Sequence, residues 1–285
     1  MLPRVFGHRG VRGSGNPPEN SLSAFAAAMS QGAQGVELDL FLTKDKKLVI
    51  FHDDDLQRMT GIQGSVVDRT LEELQQTPLL NPDGGVSSDT IPSFAQLLDL
   101  IEHARSVPGP EKRRLDAFIV NAEIKGTGIA RHLAAEIAAR ITRGWAKDHF
   151  QVSSFDIQSL REMKKAMPEI TRGALFAGPI GAPRKPLDVT FVELAHVLET
   201  IGDIAPESVN LTLPSLMAQG GEAAHLIRQA GMRPVAWTCD EQNPFSEVTL
   251  TEQGRHEAIF LVEHGIDLIT DFVRQRLESY QGLTA

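Results

Sequence analysis

The sequence predicts an α/β chain closed into a TIM (β/α)8 barrel, and three observations carry that expectation. Eight short apolar or β-branched runs recur along the chain, amphipathic helical stretches lie between them, and chemistry-bearing residues gather at the C-terminal ends of the runs. The runs are residues 4–8, 35–40, 118–124, 151–155, 173–176, 208–213, 234–238 and 267–270. From residue 118 onward they recur at roughly 20–35 residues, the length of one βα unit.

The helical stretches follow from side-chain spacing. Leu22, Phe25, Ala26 and Met29 fall at i, i+3, i+4 and i+7, and so do Phe94, Leu97, Leu98 and Ile101. Ile129, Leu133, Ile137 and Ile141 step by four. Each set lines one face of a helix. Helices of this kind alternating with strands cover a parallel sheet, and eight units close it into a barrel. A doubly wound open sheet is the competing arrangement. No G-x-G-x-x-G follows the first run, which counts against it. The whole chain, residues 1–285, reads as a single domain, because 285 residues suit one large barrel. Residues 108–114 and 178–186 are rich in Pro or charge and read as surface loops, not linkers.

One segment departs from the alternation. Residues 37–53, ELDLFLTKDKKLVIFHD, leave no room for a helix. A turn at residues 44–47 folds them into a small β-hairpin excursion after the second strand. The hairpin rises above the C-terminal rim and returns His52 opposite Asp39.

Composition narrows the function. The chain is 41% hydrophobic and 23% charged, as in ordinary globular proteins. The single cysteine, Cys239, excludes an intrachain disulfide and suits a reducing compartment. The start, MLPRVFGHRG, has no extended apolar region, and no run is long enough to span a bilayer. A cytoplasmic protein without integral membrane association is expected. The net charge of −9 counts against a surface that coats nucleic acid or docks on anionic membranes. An anionic small-molecule substrate remains compatible, provided that local Arg, Lys or a metal holds it.

Candidate chemistry sits at the strand ends. Glu37 and Asp39 are two apart on one strand, so both point inward while Val36 and Leu38 face the helices. Two carboxylates in a barrel mouth repel each other and are costly to bury. A cation resolves the conflict, and Glu123 at the third strand end supplies a third oxygen ligand. Such a set suits one hard divalent ion, Mg2+ or Ca2+. The alternative is that the acids pair with Arg9 and Lys125 without metal. His8 and His52 are the candidate general acid and base, since imidazole exchanges protons near neutral pH. Arg9 and Lys125 are candidates for holding phosphate oxygens, and the combination suits phosphoryl transfer. Phe155 and Trp237 either wall a pocket against a carbon skeleton or pack in the core. Asn20 reads as the N-cap of the first helix, with Glu19 beside it a weaker candidate to face the site. Gly10 serves a tight turn or a close ligand approach.

These motifs resemble the glycerophosphodiester phosphodiesterase family. The resemblance rests on His8-Arg9-Gly10, Pro18-Glu19-Asn20, Glu37-x-Asp39, His52-Asp53, Leu56–Gly61, Gly64-Ser65-Val66, Ile91-Pro92, Glu123-Ile124-Lys125, Ser153-Ser154-Phe155, Trp237-Thr238 and Thr270-Asp271, in this order over nearly the whole chain. It implies a TIM barrel that hydrolyses glycerophosphodiesters to glycerol 3-phosphate and an alcohol. It further implies one divalent cation at Glu37, Asp39 and Glu123, acid–base histidines at His8 and His52, and phosphate-binding positions at Arg9 and Lys125. Asp240-Glu241-Gln242, an insert over residues 242–255 and Phe272-Val273 depart from the family pattern and bear on substrate choice. A lysophospholipase D-like enzyme on the same scaffold and a non-catalytic barrel binding protein are the alternatives. An amidohydrolase-type barrel is disfavoured because Arg9-Gly10, not a His-x-His pair, follows His8.

Overall fold

Alternating inward and outward side chains are realised as a closed ring of parallel strands in the computed structural model, which describes residues 2–176, 191–237 and 252–284. The strands are β1 (Val5–His8), β2 (Gly35–Leu42), β3 (Leu48–Ile50), β4 (Pro78–Leu80), β5 (Val86–Thr90), β6 (Ile119–Ile124), β7 (Phe150–Ser154), β8 (Thr171–Leu175), β9 (Ser208–Thr212), β10 (Arg233–Trp237) and β11 (Asp267–Thr270). Parallel pairing runs from β2 through β6, β7, β8, β9, β10 and β11 to β1. β1 then pairs with β2, which closes the barrel and rules out the open sheet.

Packing follows from the alternation. Val36, Leu38 and Leu40 of β2 join Phe25, Phe94, Leu97 and Leu98 in the main core between strands and helices. Phe6, Val235 and Ile269 form a small apolar cluster, with Ile119 and Trp237 packed against it. The three helices expected from side-chain spacing are present. Helix Phe94–Ser106 starts at Ser93, whose side chain and Gln96 form a capping box, and it buries Phe94, Leu97, Leu98 and Ile101. Helix Ala130–Thr142 buries Leu133 and Ile137. Helix Leu22–Ser30 buries Ala24, Phe25, Ala28 and Met29. Its N-cap is Ser21, which accepts from the Ala24 N–H at 3.0 Å, and not Asn20 as the sequence suggested. Asn20 instead has a left-handed backbone and turns its carboxamide to Asp39.

The predicted hairpin is present, but its register differs by one residue. β3 lies antiparallel on β2, with Leu40 opposite Ile50, Phe41 opposite Val49 and Leu42 opposite Leu48. Continuing this register puts Phe51, not His52, opposite Asp39, and the Phe51 N–H donates to the Asp39 carbonyl at 3.0 Å. The cause is the loop, which spans residues 43–47 instead of 44–47. Thr43 N–H donates to the Lys47 carbonyl, Thr43 Oγ1 donates to Asp45, and Lys46 takes φ 61°. After Phe51 the chain bends, and His52 lines the cavity at the barrel mouth.

The excursion is also larger than a hairpin. It continues through the short helices Gln57–Thr60 and Leu71–Gln75 and the antiparallel pair β4–β5 before returning near Pro92. It has its own apolar cluster of Phe41, Val49, Phe51, Leu56, Met59, Val66, Leu74, Leu79 and Ile91. Residues 108–114 are mostly exposed, as expected, and lead into a short helix, Lys112–Asp116. The predicted loop 178–186, Thr238, residues 240–242 and residues 242–251 of the insert lie outside the described residues. No described helix is long and apolar enough to cross a membrane.

Candidate active site

Strand register brings the acids together. Asp39 of β2 stands beside Glu123 of β6, and His8 of β1 beside Glu37 of β2. Carboxylate oxygens of Glu37, Asp39 and Glu123 all lie within 4.8 Å of one another, and the three side chains are buried. The cations predicted to pair with them are there as well. Lys125 Nζ lies 2.8 Å from Asp39 Oδ1 and 2.6 Å from Glu123 Oε1. Arg9 Nε is 3.2 Å from Asp39 Oδ2, and the Arg9 backbone N–H donates to Glu37 at 3.2 Å. Asn20 Nδ2 donates to Asp39 Oδ2 at 2.8 Å.

The acids respond in opposite directions. Burial alone would raise Asp39, but Lys125 and Arg9 outweigh it and hold the carboxyl well below the usual range. For Glu37, burial and then the neighbouring Asp39 and Glu123 push the carboxyl well above its ordinary value, and Arg9 and Lys125 do not compensate. Glu37 is therefore the acid whose charge the protein's own cations leave unbalanced.

Both histidines have one nitrogen fixed. His8 Nδ1 lies 2.8 Å from Asp271 Oδ1, and its Nε2 is 3.9 Å from Glu37 Oε2. His52 Nδ1 lies 2.6 Å from Asp53 Oδ1. Burial opposes ionisation of Asp53, but hydrogen bonds from His52 and Arg58 prevail and lower its carboxyl to about 2. An ionised carboxylate accepts only, so each Nδ1 carries the hydrogen and each Nε2 is the nitrogen left for chemistry.

The loop after β1 is built around backbone constraint. Arg9 has φ 51° and Gly10 φ 87°. A Cβ on Gly10 would stand 2.6 Å from the Ala24 backbone, so this glycine permits a tight turn against the first helix, not a ligand approach. The turn sends the buried Arg9 guanidinium between Asp39 and Glu19.

These groups open onto one cavity of about 390 Å³. Its lining combines the polar His8, Arg9, Arg12, Glu37, His52, Asp53, Arg58, Glu123, Lys125 and Ser153 with the apolar Phe155, Leu175, Trp237 and Ile269. The Phe155 and Trp237 rings meet edge to face, 5.9 Å apart at 88°. Trp237 also packs on Val235 and Ile269, so it serves both the wall and the interior. All nine predicted site residues thus converge on this end of the barrel.

Four further residues take part that the sequence reading gave no role. Asp53 and Asp271 orient the imidazoles, and Arg12 and Arg58 hold carboxylates around them. Asp271 stands at a strand end, where the rule that found Glu37 also applies, and ring closure makes β11 a neighbour of His8. Arg58 lies on a helix of the excursion and carries no periodic signal.

Comparison with known proteins agrees with this geometry. The model of the Glycerophosphoryl diester phosphodiesterase family matches residues 8–275. A glycerophosphodiester phosphodiesterase of Bacillus altitudinis is 35% identical over 188 residues, 64% of this chain and 70% of the relative. One from Caldanaerobacter subterraneus is 36% identical over 186 residues, 62% and 68% of the two chains. In fold, the chain is similar to an Oleispira antarctica phosphodiesterase solved in complex with the product sn-glycerol-3-phosphate. The TM-score is 0.69 at 23% identity, over 98% of this chain and 97% of the other.

Proposed function

This chain belongs to the glycerophosphoryl diester phosphodiesterase family and is a phosphoric diester hydrolase, and from that premise we propose that it cleaves glycerophosphodiesters to glycerol 3-phosphate and an alcohol, using His8 and His52 as acid–base pair and one divalent cation, Mg2+ or Ca2+. The observation that carries this reading is the convergence of His8, Glu37, His52 and Glu123 on one cavity, with Asp39 clustered against the two glutamates, from four separate stretches of chain. The product held by the Oleispira relative is the one expected here.

The donor set fits the cation. Glu37, Asp53 and Glu123 line the cavity with Arg9, Arg12, Arg58 and Lys125, and Glu19, Asp39 and Asp271 are ion-paired to these cations. Six carboxylates against four obligate cations leave two negative charges, which one divalent ion balances. Its buried oxygen ligands would be Glu37, Asp39 and Glu123. When bound, the ion supplies positive charge to the phosphoryl oxygens as negative charge develops there.

The chain's own groups supply the rest. Arg9 and Lys125 present their cations to the phosphate. One imidazole takes a proton from the attacking oxygen, either water directly or a glycerol hydroxyl whose cyclic phosphate water then opens, and the other returns a proton to the departing alcohol. Asp271 and Asp53 keep both rings in the tautomer that leaves Nε2 available. Phe155 and Trp237 bear on the substrate's carbon skeleton. The chain acts as one domain on a small-molecule diester, not on nucleic acid, and the single cysteine suits a cytoplasmic site.

A coupled assay for glycerol 3-phosphate, run over several glycerophosphodiesters with and without EDTA, tests the proposal. Turnover should depend on a divalent ion, vanish on chelation and return when one ion is restored. Preference for lysophosphatidylcholine over glycerophosphocholine would redirect the reading to a lysophospholipase D-like enzyme. Absence of turnover on every diester with metal supplied would leave only a binding role.

A further inference from the structure

Along the polar lining of the cavity, and through Glu19 and Asp271 beneath it, a continuous chain of alternating charges joins the two histidines. From His52 Nδ1 it passes to Asp53 Oδ1 at 2.6 Å, and from Asp53 Oδ2 to Arg58 Nε at 2.5 Å. Arg58 Nη2 donates to Glu19 Oε1 at 2.7 Å, and Arg12 Nε donates to Glu19 Oε2 at 2.9 Å. Arg12 Nη1 then approaches Asp271 Oδ2 at 3.5 Å, and Asp271 Oδ1 meets His8 Nδ1 at 2.8 Å. Glu19 is the midpoint. It also accepts from Arg9 Nη1 at 2.8 Å, so one buried carboxylate holds three guanidiniums.

The members come from three places in the sequence: the loop after β1, the excursion, and the end of β11. Glu19 touches both arms, through Arg58 on one side and Arg12 on the other. Burial opposes its charge, but Arg9, Arg58 and Arg12 together keep it well below the ordinary carboxylate range. The loop that carries it is closed by two left-handed residues, Arg9 and Asn20, with the Asn20 N–H donating to the Arg9 carbonyl at 2.9 Å. Arg58 supplies the second clue. Its side chain is 46% exposed, and an arginine of that exposure contributes little as an isolated ion pair. Its position between Asp53 and Glu19 instead fixes the direction of the carboxylate that faces His52.

We propose that Glu19 is a positioning residue that orients both imidazoles at once, its two oxygens dividing the task. Oε1 anchors Arg58 and through it Asp53 and His52. Oε2 anchors Arg12 and through it Asp271 and His8. Two catalytic groups delivered by distant segments need a common reference if their separation is to hold within a fraction of an ångström, and Glu19 provides it. This role rests on the acid–base reading of the two histidines.

The test is histidine ¹⁵N NMR on the full-length, Mg2+-loaded protein, with the two Nδ1–H resonances assigned from His8→Ala and His52→Ala. Arg58→Ala should move the His52 resonance alone, Arg12→Ala the His8 resonance alone, and Glu19→Gln both. In the diester assay Glu19→Gln should lower kcat by about 100-fold, the scale for catalytic groups displaced by about an ångström, with Glu19→Asp recovering part of it. A Glu19→Gln protein that moves neither resonance or only one, or that keeps kcat within threefold, overturns the proposal. Should Glu19→Gln fail to fold, the half-exposed Arg58 decides: an unmoved His52 resonance in Arg58→Ala has the same force. Wild-type protein without diester turnover removes the acid–base reading by itself, whereas the resonance pattern judges Glu19 either way.

Discussion

Glu37 and Asp39 illustrate how much two residues of one strand can differ. Asp39 is neutralised by Lys125 and Arg9, whereas Glu37 is driven toward its protonated form by burial and by its acidic neighbours. Metal-free protein should therefore hold a proton on Glu37 that cation binding expels. Calorimetry in two buffers of different ionisation enthalpy measures it, and equal heats in both would contradict it. Stability follows in sign. A carboxyl raised in the folded state binds more protons folded than unfolded above its ordinary value of 4.5. Metal-free stability should then fall as pH rises through that window. Asp53, lowered from 3.8 to about 2, acts in the other direction: its contribution is present above 3.8 and lost as pH falls toward 2. The Tm of EDTA-treated protein should thus peak in mild acid, and saturating cation should flatten the neutral side. His8→Ala and His52→Ala should each cost about 100- to 10,000-fold in kcat with an unchanged melting curve. At this scale the period of two made Glu37 and Asp39 legible. Asn20 was not, because its neighbour Ser21 serves equally well as a cap and only the fold decides between them.

At the scale of elements, the excursion is the part least visible in sequence and the part that delivers His52. The hairpin was legible from its length and alternation, but its register was not. Thr43, Asp45 and Lys46 close a loop one residue longer without the Asn-Gly or Asp-Gly signature that would announce it. β5, with sequence VSSDT, is too polar and exposed to read as a strand. The barrel strands were easier to read, since most are apolar on their helix-facing side; β8, which turns Arg172 outward to the carbonyls of Pro168 and Ile204, is an exception. Phe51 links the excursion's packing to chemistry: it is 2% exposed in the small apolar cluster and immediately precedes His52. Phe51→Ala should destabilise the excursion by about 3–5 kcal/mol. Limited proteolysis should then cut within residues 51–93 before the barrel melts, and kcat should fall with the loosened histidine. Unchanged cleavage and turnover would mean that the cluster does not hold the imidazole.

For the whole molecule, ring closure is what turns separate strand ends into a site. Counting eight units pointed to closure, but only the pairing of β1 with both β2 and β11 makes His8 a neighbour of Glu37 and of Asp271 at once. The seam is reinforced at the other end of the strands, where the Arg4 backbone N–H and guanidinium both reach Asp267. Asp267→Asn should weaken this junction and lower Tm by a few degrees while leaving the acids in place. A variant with wild-type Tm would show that the seam rests on strand pairing alone.

His8 and Asp271 are partners across 263 positions. During synthesis β1 is made well before β11, and the edge of β1 that pairs with β11 stays bare until β11 leaves the ribosome. The contact of His8 with Asp271 thus waits for β11 to be made, and joining such distant segments is slow compared with forming local helices. On refolding from denaturant, far-UV circular dichroism should return first and diester hydrolysis later, making the appearance of turnover a timer for the meeting of the two ends.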